Sequence, residues 1–171
     1  MTNRQKWHHS SDRRQGLAGE HAFTDIGQLI LLTLFLVVWI TDSFIFHFAD
    51  FPAQHIPLYI RLPIAAVVLI LAAVLALRAH KAVFGGTAED YRLLTDGVFK
   101  VVRHPMYLGS WLFFVGLTIS SFSLASVGVC VVIVIFYYRV SKSEEKLLEA
   151  KFGTEYRDYK KRVPMFFPIK I

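Results

Sequence analysis

The chain has 171 residues, 54% of them hydrophobic and 19% charged, with a formal net charge of +6. Soluble domains carry about a quarter charged residues, so this composition argues against an ordinary soluble domain. The single cysteine, Cys130, excludes a disulfide framework and a cysteine-based metal site. No basic stripe is interleaved with aromatics on a polar segment, so the charge is not a nucleic-acid footprint.

In chain order, residues 1–25 read as a polar tail or surface helix. Its His8-His9 pair has no third ligand nearby and reads as a solvated pair, so no metal is expected. Ile26–Thr41 is an uncharged run of 16 residues, and Leu62–Leu77 is a second of the same length. A spanning helix needs roughly 20 mostly apolar residues. Both runs reach that length as spans over 26–49 and 56–77, each carrying one charge, Asp42 and Arg61 respectively. Arg61 lies near a segment end, where a long side chain can snorkel. Asp42 must sit near the membrane edge or face protein. The first run is long and has no small-x-small cleavage site, so it is expected to be a signal anchor and not a cleaved signal peptide.

Gly85-Gly86 is expected to end the second helix, and Thr95-Asp96-Gly97 is a turn signal. Pro105–Tyr138 then runs 34 residues without an Asp, Glu, Lys or Arg. At ~1.5 Å per residue it is too long for one span. Ser120-Ser121-Phe122-Ser123 is the expected break, making a hairpin with spans over 105–120 and 123–140. Residues 141–171 form a cytoplasmic segment, with an amphipathic helix over Arg139–Arg162 that Gly153 can break. The fold expected is therefore all-α and integral to the membrane, with about four transmembrane helices in one domain over 26–171. Lys and Arg fall 4, 1, 5, 0 and 9 along the successive extramembrane segments. This alternation puts both ends on the cytoplasmic side.

Three segments can carry chemistry. In Arg103-His104-Pro105-Met106-Tyr107-Leu108-Gly109, proline suits a first helical turn and biases His104 toward extended backbone. That builds a helix start at the membrane surface, whose free N–H groups favour an anion. Gly109 and Gly116 lie on one face at heptad spacing, where a ligand or a neighbouring helix can approach closely. A plain positive-inside stop with packing glycines accounts for the same residues. The second segment is Arg139 with Glu144-Glu145; adjacent acids point about 100° apart on a helix, so one at most faces a given site. The third is Phe152-Gly153-Thr154-Glu155-Tyr156-Arg157-Asp158-Tyr159-Lys160-Lys161-Arg162-Val163-Pro164, whose tyrosines and cations suit a headgroup-level belt.

Taken in order, with Gly97-Val98-Phe99 ahead of them, these elements resemble the isoprenylcysteine carboxyl methyltransferase and phospholipid methyltransferase family. The resemblance covers about Tyr91–Pro168. It implies a membrane-embedded methyltransferase that uses S-adenosyl-L-methionine, with no soluble Gly-x-Gly-x-x-Gly site. By match of motif, Arg103, His104, Pro105, Tyr107, Gly109, Glu144 and Glu145 would border the cofactor. Arg139 and Glu145 would be catalytic, and Arg139, Tyr156, Tyr159 and Arg162 would meet a lipid-like or prenyl acceptor. A carboxylate acceptor is ionised at neutral pH and needs only an orienting cation, whereas a phospholipid amine needs a base. The competing readings are a phospholipid amine N-methyltransferase, for which His104 or a glutamate could serve as base, then an NADPH-dependent reductase and a non-catalytic scaffold.

Overall fold

The structure, a computed structural model, describes residues 25–46, 56–85 and 93–167. The expectations for the N-terminal tail, the loop after the first span, Gly86 and Pro168 lie outside the described residues. Five helices make up the described fold: α1 (Asp25–Phe46), α2 (Leu58–Phe84), α3 (Pro105–Ser121), α4 (Leu124–Phe152) and α5 (Thr154–Arg162). A short 3-10 turn, Gly97–Lys100, precedes α3.

Among the described residues, α1, α2 and α4 are each long and apolar enough to cross a membrane. With 17 uncharged residues, α3 is about 25 Å long, at the lower edge of what a span needs. Apolar side chains such as Leu29, Ile70, Leu71, Val131 and Ile135 point outward, as they do when lipid is the solvent. The protein is an integral membrane protein of all-α architecture.

The helix ends follow local chemistry. α2 stops at Gly85, which donates its N–H to the Lys81 carbonyl. The expected break in the long apolar run is present: Phe122 takes a left-handed conformation (φ 56°), and the Ser123 side chain caps α4 by accepting from Ser126 N–H. α4 runs on without interruption to Phe152, 29 residues or about 43 Å. Its charged last turns therefore project beyond a hydrocarbon core of about 30 Å. Gly153, at φ 58°, then lets the chain turn into α5.

Lipid tails are as apolar as leucine, so close packing must hold these helices together. α2 and α3 meet antiparallel along a seam of small residues. Ala65, Ala72 and Ala79 recur at heptad spacing on α2, opposite Gly116 and Gly109 on α3. A Cβ on Gly109 would lie 3.2 Å from the Ala72 carbonyl and 3.2 Å from the Ala76 nitrogen, so the backbones touch there. On the other side Phe35 of α1 sits among Phe114, Cys130, Ile133 and Tyr137. Asp42 faces protein: buried at a π-helical turn ending α1, it accepts a 2.5 Å hydrogen bond from Ser123 in the hairpin turn. Arg61 reaches the same turn, donating to the Ser121 carbonyl. At the opposite end α5 lies over α4, with Tyr156, Tyr159 and Val163 packed against Leu93, Leu148 and Phe152.

Candidate active site

The three motifs converge where α3 begins and α4 leaves the membrane. Pro105 occupies the first position of α3, leaving His104 as its N-cap in non-helical conformation. The backbone just before the helix is held by the C-terminal tail: Arg103 N–H donates to the Pro164 carbonyl at 2.9 Å, and His104 N–H to Met165 at 3.2 Å.

Arg103 is the clamp of this region. Its Nε and Nη2 donate to Glu145 Oε1 at 2.8 and 2.6 Å, while Nη1 donates to the carbonyls of Lys160 and Val163 at 2.9 and 2.5 Å. Glu145, 1% exposed, also meets Lys160 Nζ at 3.2 Å. Burial pushes the Glu145 carboxyl upward most strongly of any single influence. The nearby His104, the hydrogen bonds and charge of Arg103, and Lys160 together outweigh burial and hold it down at about 2. It is a fixed anion, already occupied by protein cations.

The other acid differs. Glu144 is one third exposed, accepts a very short hydrogen bond from Tyr107 Oη, and lies 3.5 Å from His104 Nδ1. His104 Nε2 stands 3.6 Å from Glu145 Oε1. Burial alone would depress the imidazole, but the two carboxylates flanking it, Glu144 and Glu145, win, so its pKa is raised. His104 stacks on Tyr107 (5.8 Å between ring centres, 11°), and Tyr107 on Tyr137 (5.2 Å, 28°).

Four buried polar atoms in or near this network lack a hydrogen-bond partner: His104 Nε2, Ser141 Oγ, Tyr156 Oη and Glu145 Oε2, the last of which still has the Lys160 ammonium at 3.2 Å. Such orphans are uncommon in folded proteins, because an unmade buried bond is costly. On the membrane side the cluster adjoins a cavity of about 90 Å³ lined by Tyr107, Leu108, Trp111, Val134, Tyr137, Phe166 and Phe167. Tyr107 and Tyr137 are thus shared between a charged network and an apolar cavity.

Of the residues singled out in the sequence, Arg103, His104, Pro105, Tyr107, Glu144 and Glu145 come together. The others are placed differently. Gly109 faces α2, so its lack of a side chain serves helix packing. Arg103 is a structural clamp with four of its five donors spent on protein. Tyr156 and Tyr159 belong to the small core under α5 and not to a headgroup belt; Tyr159 Oη donates to the Phe99 carbonyl at 2.6 Å, and burial lifts its phenol to about 12. Arg162 is exposed and bonds back to the Asp158 carbonyl. Arg139 is not brought to the cluster. It is exposed, about 160° around α4 from both Tyr137 and Ser141. The sequence reading overlooked Tyr137 and Ser141, although their i, i+4 spacing to Glu145 on one helix face was visible. Trp111, Phe166 and Phe167 carried no signal beyond hydrophobicity.

Comparison with known proteins bears on this arrangement. Residues 54–155, more than half the chain, match the family model described as phospholipid methyltransferase. The chain belongs to the phospholipid methyltransferase family. Within it, this family member is 32% identical over 81 residues to protein-S-isoprenylcysteine O-methyltransferase B of Arabidopsis thaliana, covering 47% of this chain and 41% of that protein. A bacterial relative, the nickel-cobalt-cadmium resistance protein NccN of Alcaligenes xylosoxydans xylosoxydans, is 36% identical over 82 residues, 47% of this chain and 38% of that one. Among solved structures, the eukaryotic intramembrane Ras methyltransferase (isoprenylcysteine carboxyl methyltransferase) superposes with a TM-score of 0.64 at 25% identity. The superposition covers 82% of this chain and 52% of that structure. The chain thus spans well under half the length of the curated relatives it matches and about half of the structural one. Among the described residues, no group of three or more His, Cys, Asp or Glu side chains is placed to hold a metal ion.

Proposed function

We propose that this protein is an S-adenosyl-L-methionine-dependent methyltransferase acting on a lipid-like acceptor, with a prenylcysteine-type carboxylate as the favoured substrate. The family membership supports methyl transfer. The observation that carries the reading is the shared wall of Tyr107 and Tyr137, with a charged, hydrogen-bond-hungry network on one side and an apolar cavity on the other.

The residues present fit the cofactor. His104, held toward its charged form, together with the start of α3 would take the carboxylate of the amino-acid end. Glu144, the acid not committed to Arg103, would take its ammonium group. Ser141 Oγ and Tyr156 Oη remain available for polar groups of the ligand. When bound, the cofactor supplies an electrophilic methyl on a cationic sulfonium, which the stacked faces of Tyr107 and Tyr137 suit.

The reaction needs alignment above all, and near-attack geometry lowers a barrier by several kcal/mol. A carboxylate acceptor arrives ionised and requires no base. An ammonium acceptor would have to lose a proton; Glu145 is bound by Arg103, and His104, flanked by two carboxylates, is drawn toward its charged form. This favours a carboxylate over a phospholipid amine. The cavity, about 90 Å³, is far below the roughly 300–1,000 Å³ of a small-molecule site, so it receives only part of an acceptor's tail unless Phe166 and Phe167 move aside. Four spans with both ends and the site on the cytoplasmic side complete the proposal, supported by the charge alternation.

The test is binding of S-adenosylhomocysteine to the purified, folded protein, followed by transfer of labelled methyl to a prenylcysteine analogue and to phosphatidylethanolamine in parallel. Binding with label on the carboxylate is expected. Absence of binding would sink the proposal, and label on the amine alone would overturn the acceptor.

A further inference from the structure

Helical geometry divides α4 into two opposite faces. Ser126, Cys130, Ile133, Tyr137, Ser141 and Glu145 form the buried stripe. Exposed Val131, Val132 and Ile135 lie on the other side and face lipid. Followed toward the charged end of the helix, that lipid-facing line continues through Tyr138 to Arg139, Lys142 and Lys146, all four exposed. The three cations sit three and four residues apart, so they share a face over about two turns. The acids of this stretch avoid them: Glu144 and Glu145 turn to the catalytic cluster, and Glu149 turns to Arg157 and Lys160. Among the described residues, none of the three cations pairs with a carboxylate; Lys142 Nζ instead lies 5.5 Å over the Tyr138 ring.

We infer that Arg139, Lys142 and Lys146, with Tyr138, form a binding site for the phosphate headgroup of an anionic phospholipid of the surrounding bilayer. The membrane itself identifies the occupant. The stripe is continuous with the exposed apolar face of a membrane-spanning helix, so a lipid whose tails lie along Val131, Val132 and Ile135 presents its phosphate at the level of Arg139. A guanidinium suits that phosphate through paired donors, and the two ammonium groups below it add charge. A tyrosine at the start of the stripe is the residue that favours headgroup depth. The site stands apart from the methyl-transfer reading, and it gives a role to Arg139, which is exposed and turned away from Tyr137 and Ser141.

The experiment uses the full chain in nanodiscs of phosphatidylcholine with a minority of phosphatidylglycerol, with retained lipid read by native mass spectrometry. A cation near an anionic surface is worth about a fivefold change in affinity, so Arg139→Gln should weaken selective retention of phosphatidylglycerol about fivefold. The triple variant R139Q/K142Q/K146Q should weaken it on the order of a hundredfold. R139K/K142R/K146R keeps the charge and should keep the lipid. K100Q/R157Q/K161Q removes the same charge elsewhere on the cytoplasmic end and should retain most of the selectivity. Equal loss in that control would overturn a local site in favour of net charge alone. So would unchanged lipid retention in Arg139→Gln accompanied by lost methyl transfer, which would return Arg139 to the acceptor.

Discussion

Replacing Glu145 by glutamine removes the charge at the centre of the buried network while nearly preserving its shape. The fall of its carboxyl from 4.5 to about 2, at about 1.4 kcal/mol for each pH unit, corresponds to about 3 kcal/mol of native stability. The side chain is 1% exposed, so little solvent screening reduces that figure. It agrees with the 3–5 kcal/mol typical of breaking a buried pair from one side. Glutamine still offers Arg103 an amide oxygen where Oε1 accepts at 2.6–2.8 Å, so what the guanidinium loses is the opposing charge in a buried site. The assay is a double-mutant cycle on Glu145→Gln, Arg103→Gln and the double variant, followed by unfolding in detergent. The double variant should be no worse than the more damaging single change, with a coupling energy of at least about 2 kcal/mol. Additive losses, or a Glu145→Gln effect below about 0.5 kcal/mol, would refute the reasoning. Because the carboxyl is depressed, its contribution is complete above pH 4.5 and is lost as pH falls toward 2. Glu145 therefore leaves no pH dependence between 5 and 8.

His104 acts in the other direction: its raised pKa means a contribution fully present below 6.5 and lost as pH rises through the folded value. Thermal midpoints should fall on the alkaline side, and His104→Gln should flatten that slope. Tyr159→Phe should cost about 1 kcal/mol by deleting the bond to the Phe99 carbonyl. Tyr156→Phe deletes an unpartnered hydroxyl; it should leave the ligand-free protein as stable or more so, yet reduce the thermal shift caused by S-adenosylhomocysteine. Gly109→Ala should destabilise by about 1–3 kcal/mol, since its Cβ meets backbone atoms of α2, whereas Gly128→Ala meets nothing within 4 Å and should be neutral or stabilising. Equal effects at the two glycines would contradict the α2–α3 seam.

Much of the fold was legible in the sequence because the bilayer imposes simple arithmetic. Uncharged run lengths located the helices, and the serines around Phe122 marked the hairpin turn. The helix start at Pro105 was equally readable, since a proline acts on its own backbone and on the residue before it. The site was legible as a set of segments and less so as a set of roles. Arg103 looked free to meet a ligand because its acceptors are 42 to 60 residues away, two of them main-chain carbonyls that no side-chain pattern reveals. Tyr156 and Tyr159 looked interfacial because tyrosine beside lysine is the composition of a headgroup belt. Their burial depends on Gly153 folding α5 back over Leu148 and Leu93, a tertiary event. Motif order put Arg139 beside the acceptor, whereas its angular position on an uninterrupted α4 turns it away from Tyr137 and Ser141.

The Arg103 clamp also sets an order for folding, since it joins segments far apart in the chain. Every helix through α4 can enter the bilayer as it is translated, but the start of α3 is anchored by Lys160, Val163, Pro164 and Met165. Until those residues clear the ribosome, Arg103 and Glu145 have only each other, and the tail that covers His104 is missing. Closure of the cluster is therefore a late event in folding, completed only when α5 and the segment after it fold back over the start of α3.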